Sequence, residues 1–70
     1  MIRLRVKELA ERQGLNISQL ARKADVDRRT LTRIYRNPTQ EISTHVLAKL
    51  ANALNVAPGD LLEVIPDDGE

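Results

Sequence analysis

Three times in this chain an apolar residue precedes a strong N-cap residue and a second apolar residue stands four positions beyond the cap. The sets are Leu15/Asn16/Leu20, Val26/Asp27/Leu31 and Ile42/Ser43/Leu47. This spacing is a hydrophobic staple: the cap side chain takes an orphan amide of the first turn, and the two apolar groups fix the angle at which the chain enters the helix. Asn16 also has Gln19 three residues on, completing a capping-box pair. The spacing predicts short helices joined by tight connections, and residues 16–36 in particular read as two helices with one turn between them.

The remaining elements follow from periodicity. Ile2, Leu4 and Val6 alternate with Arg3, Arg5 and Lys7, a period of two that suits a half-buried strand. From Val6 the pattern becomes helical, with Val6, Leu9 and Ala10 on one side, and Gly14 is placed to end that helix. Leu62-Glu63-Val64-Ile65, closed by Pro66, is the candidate partner for a strand over residues 2–5. The alternative, that residues 1–5 begin the helix or fray, stands equally open at this point. Pro38 disfavours helix at Asn37 and ends the third helix. Val46, Leu47, Leu50, Ala51 and Leu54 form the stripe of a fourth helix ending near Asn55, and Pro58 fits the first position of a short fifth carrying Leu61 and Leu62. Residues 1–65 are expected to form one domain and residues 66–70 a flexible acidic tail.

On a helical wheel starting from Asp27, Arg28, Thr32, Arg36, Arg29 and Arg33 fall within an arc of about 140°. Leu31, Ile34 and Tyr35 cluster on the other side, as a packed stripe does. A solvated helix face ordinarily interleaves both signs of charge, whereas residues 28–36 hold four arginines and no acid. So dense a cationic face suits a polyanion, since a guanidinium grips phosphate or a guanine edge bidentately. The charge of the whole chain, +1, hides this. Residues 1–36 carry ten Lys and Arg against four acids, a net of +6, while residues 37–70 carry one against six, a net of −5. The chain is thus electrically polarised, with a basic end for a polyanion and an acidic end to face away from it.

Composition excludes several classes. Seventy residues make one small domain, too short for a sizeable enzyme cleft. Tyr35 is the only aromatic residue, which argues against the base-stacking platforms that read single strands and RNA loops. No apolar run approaches a membrane span, and Met1-Ile2-Arg3-Leu4-Arg5 lacks the apolar core of a secretion signal, so the cytoplasm is the expected compartment. There is no cysteine, and His45, the only histidine, has no acid at a clear ligand spacing on its helix. Ser18, Ser43 and Thr44 are accounted for by helix starts. No catalytic residue, metal site, cofactor or small-molecule ligand is expected.

The chain from Val6 to about Leu62 resembles the phage-repressor and Cro-like, or XRE-type, helix-turn-helix DNA-binding domains. The carriers are Leu20-Ala21, Ala24-Asp25-Val26 at the turn, Thr30-Leu31-Thr32-Arg33-Ile34, Leu47-Ala48-Lys49-Leu50-Ala51-Asn52-Ala53-Leu54-Asn55-Val56, and Pro58-Gly59-Asp60-Leu61-Leu62. The resemblance implies an all-α, compact five-helix bundle, with the terminal pairing of residues 2–5 and 62–65 as an optional addition. It implies that the third helix (28–36) lies in the major groove, with the second crossing above it. It assigns base-edge contacts to Arg28, Arg29, Thr32 and Arg33, and backbone contacts to Arg36 and the start of the second helix. Asn16, Ser18, Asn37 and Thr39 are the further candidates for phosphate. The family often has glutamine where Ile17 stands, glycine where Asp25 stands, and Ser or Asp where Ala57 stands. The expected activity is sequence-specific binding of double-stranded DNA by a small transcriptional regulator, a homodimer on a palindromic site. The dimer is expected through Leu61, Leu62, Val64 and Ile65 or through the Ile2/Leu4 edge. The competing class is an adaptor or antitoxin-like interaction module that keeps the bundle without specific DNA binding.

Overall fold

The computed structural model describes residues 1–39 and 41–66. In them the chain runs β1 (Ile2–Leu4), α1 (Val6–Arg12), α2 (Ile17–Ala24), α3 (Arg28–Arg36), α4 (Thr44–Leu54), a single 3₁₀ turn (Pro58–Leu61) and β2 (Leu62–Val64). All three stapled starts cap as local chemistry requires. Asn16 accepts from the Gln19 amide at 2.8 Å while the Gln19 side chain takes the Asn16 amide at 2.9 Å. Asp27 accepts from the Arg29 amide at 2.9 Å, and Ser43 from the Val46 amide at 3.2 Å.

The helix stops share one device. After α1, α2 and α4 a residue turns left-handed, at Gly14 (φ 72°), Asp25 (φ 56°) and Asn55 (φ 56°). The next amide then reaches back to the last turn: Leu15 to the Ala10 carbonyl (2.9 Å), Val26 to Ala21 (3.0 Å), Val56 to Ala51 (3.0 Å). This is the Schellman closure, and its usual apolar companion is present each time, since Leu15, Val26 and Val56 all pack against the core.

Two expectations are corrected. The five-helix bundle is four α-helices, among the described residues, plus one turn of 3₁₀, because the chain at Pro58–Leu61 must become extended at once to pair as β2. Ala57 offers no cap, but the Asp60 carboxylate accepts from the Ala57 amide at 3.2 Å in its place. The strand pairing does form, antiparallel, with Ile2 opposite Val64, Arg3 opposite Glu63 and Leu4 opposite Leu62. It stops short of Arg5, which is already the N-cap residue of α1, while Met1 and Ile65 extend it by exchanging backbone hydrogen bonds. The tail expected at 66–70 lies, from residue 67 on, outside the described residues.

The core is apolar throughout. Leu4, Val6, Ala10, Leu20, Ala24, Leu31, Ile34, Leu50, Ala51, Ala53, Leu54 and Leu61 are buried, drawing on every helix and on the first strand. No polar or charged side chain is buried among the described residues. The ribbon ties the ends of the chain to the bundle. Leu4 donates its amide to the Pro38 carbonyl just after α3 (2.7 Å), and Arg5 donates to the Leu61 carbonyl (2.8 Å). No helix of the described residues is long and apolar enough to cross a membrane.

Candidate nucleic-acid interface

The pose of α3 is set by the turn before it. Asp25 adopts the left-handed conformation where the resembling family usually has glycine, a conformation aspartate tolerates better than most residues. Its carbonyl accepts a hydrogen bond from the Lys49 ammonium of α4 at 3.1 Å, with the Asp25 carboxylate 3.8 Å from the same nitrogen. Lys49 thereby ties the turn to the helix behind it. At the far end Asn37 closes α3, its amide donating to the Arg33 carbonyl at 2.9 Å.

Between these two ends α3 divides cleanly. Leu31 and Ile34 are buried and Tyr35 is half-buried, on the packed side. Burial, with the Glu11 charge adding, pushes the Tyr35 hydroxyl above its ordinary range. Arg28, Arg29, Thr32, Arg33 and Arg36 are all exposed and together line one shallow concavity of about 520 Å³. Among the described residues no acid lies within ion-pair distance of any of these four arginines. Elsewhere four of the cations are paired, Arg3 with Glu63, Arg5 and Arg12 both with Glu8, and Lys49 with Asp25.

The flanking candidates sit at the ends of α2 and α3. The Asn16 amide oxygen is committed to its own cap, which leaves its amide nitrogen to donate outward. Ser18 lies half-buried in the first turn of α2. Asn37 and Thr39 come together, the Thr39 hydroxyl donating to the Asn37 side-chain oxygen at 2.9 Å. Two supporting residues were not anticipated. Lys49 is one; Gln13 is the other, donating its side-chain amide to the Leu54 carbonyl at 2.7 Å and so closing the end of α4. Neither carries a local signal, because each partner is remote in sequence.

A model of the Cro/C1-type helix-turn-helix DNA-binding domain matches residues 5–67 of the chain. The chain belongs to that family. Comparison with curated proteins finds no match. In this Cro/C1-type domain α2, the turn at Asp25–Asp27 and α3 form the helix-turn-helix, and the arginine-lined concavity lies on its third helix. Ile17 opens α2 half-buried and packs against the core, so where the resembling family often has a phosphate-reaching glutamine this Cro/C1-type domain has a core side chain.

Proposed function

We propose that this domain is a transcriptional regulator that binds duplex DNA by sequence, laying α3 in the major groove with α2 across it. The observation that carries this reading is the arc of four exposed arginines with no acid partner among the described residues. Such an arc costs the free domain stability. Arg28 and Arg29 stand at the positive end of the α3 dipole, and Arg29 and Arg33 are like charges at i, i+4. An anionic partner would turn that cost into affinity.

In this reading Arg28, Arg29, Thr32 and Arg33 meet base edges, with guanine O6 and N7 the best partners for the arginines. Arg36, Asn16, Ser18 and Asn37 meet phosphates and set register. Thr39 acts through Asn37, since its hydroxyl proton is held there. One copy offers few contacts, and we propose that two copies bind a palindrome with half-site centres about one helical turn apart. Support for a dimer comes from Ile2 and Val64, a facing pair on the ribbon that is 48% and 78% exposed. Leu61 and Leu4, both expected contributors, are buried in their own core and drop out.

The test is selection of bound duplexes from a random library at physiological salt, with sedimentation of the free and DNA-bound protein. Enrichment of a palindrome with guanines in each half-site, bound two to one, is the expected result. Weak, salt-sensitive binding with no enriched motif would overturn the reading in favour of an interaction module. A monomer at high concentration, both free and on DNA, would overturn the dimer alone.

A further inference from the structure

The centre of the concavity on α3 holds the one side chain of the arc that is short and uncharged. Thr32 is flanked by Arg28 and Arg36 one turn away on either side, with Arg29 and Arg33 beside them, and all five line the same hollow. The arginines form its walls, and Thr32, several atoms shorter, forms its floor. The hydroxyl there is already engaged: Thr32 Oγ1 donates to the Arg28 carbonyl at 3.0 Å. A hydroxyl has one proton to give. With that proton held by the backbone one turn back, Thr32 cannot donate to purine N7 or O6 or to thymine O4. The same bond fixes the χ1 angle, and the γ-methyl becomes the group a base edge would meet.

We infer that Thr32 is a thymine-specificity residue, its γ-methyl forming the apolar seat for the C5-methyl of thymine. The inference rests on the proposed placement of α3 in the major groove. The thymine methyl is the base-edge group of that groove that asks for no hydrogen bond and gains from an apolar contact. It suits a floor with no donor to offer, ringed by guanidinium groups that take the acceptor edges of the neighbouring base pairs. Each half-site should therefore hold a thymine beside its guanines, and the methyl rather than the pairing edge of that thymine should be what is read.

The experiment replaces each thymine of the selected operator in turn by uracil, which removes the methyl and leaves every hydrogen-bonding group. Affinities of the wild-type, Thr32→Ser and Thr32→Val proteins are then measured on each duplex. At one thymine per half-site the wild type is expected to lose affinity about fourfold, the worth of burying one methyl-sized group. Thr32→Val keeps a methyl and should keep that ratio. Thr32→Ser keeps the hydroxyl and should bring the ratio to one. An operator bound tightly but indifferent to every uracil, or a ratio that survives in Thr32→Ser or vanishes in Thr32→Val, overturns the inference and leaves the DNA reading intact. Failure to select any operator overturns both.

Discussion

Helices α1 and α3 bury the same kind of apolar stripe and differ in the charges they carry. Each buries two side chains in the shared core, Val6 and Ala10 in one and Leu31 and Ile34 in the other. In α1, Glu8 is gripped from both sides: Arg5 reaches it with two nitrogens at 3.3 and 3.2 Å, and Arg12 lies at 2.9 Å. In α3 four arginines line a hollow, and among the described residues none of their guanidinium groups has an acid within ion-pair distance. In both cases the apolar stripe and the helix ends, not the exposed charges, build the helix. Charge is therefore free to serve the fold in one place and a partner in the other.

The comparison breaks first if the packed sides are not equivalent in kind. Leu31→Ala should cost about 2–5 kcal/mol, much of what a domain of this size has to lose, and urea denaturation will measure it. The exposed sides should then separate. Arg28→Ala or Arg33→Ala is expected to cost about 1–3 kcal/mol at one base position of the selected operator and relax preference there. Arg36→Ala should keep the preference and make a salt slope of about −4 to −5 per monomer shallower by about one. Arg12→Ala, in the paired helix, should do neither. Three α3 variants behaving alike would erase the distinction between readers and anchors.

Stability should move the opposite way from binding. Arg29→Glu places an acid in the first turn of α3 and removes a like-charge pair, so the free domain should gain about 0.3–1 kcal/mol while DNA affinity collapses, as thermal melting and titration would show. The smallest effects are in pH. The side-chain hydrogen bond from Arg5, with the charges of Arg5 and Arg12 adding, holds the Glu8 carboxyl below its ordinary range, and the same hydrogen bond, with the Glu8 charge adding, lifts the Arg5 guanidinium above its own. A carboxylate held low stabilises the fold above its unfolded value, and that support fades as acid protonates it through the lower folded value. Glu8→Gln should flatten the acid limb of the stability profile. Tyr35, held above its ordinary range by burial, is supported below the unfolded tyrosine value, and that support fades as pH rises through the folded one. Tyr35→Phe should flatten the alkaline limb.

What could be read from the sequence was what is settled within one turn of helix. The starts at Asn16, Asp27 and Ser43 and the stop at Gly14 are decided by neighbouring side chains and amides, and the periodicity of residues 28–36 exposes the arc without any tertiary knowledge. The fifth element was misread because its fate is decided by β1, at the other end of the chain: pairing with Leu4 requires Leu62 to be extended. Lys49 and Gln13 were invisible for the same reason, since their acceptors Asp25 and Leu54 are brought to them only by the packed bundle. The bond between Thr39 and Asn37 depends on a loop conformation that no propensity specifies.

The hydrogen bond from the Leu4 amide to the Pro38 carbonyl joins the ribbon to the segment that leaves α3. Ribbon and α3 are therefore tied together, although one lies near the ends of the sequence and the other at its middle. Thermodynamic reciprocity follows. If a molecule that grips the ribbon shifted the exit of α3, whatever factor it imposed on DNA affinity, DNA would impose on its own. A second copy of the chain that bound there and moved β1 would then be felt as cooperativity on DNA.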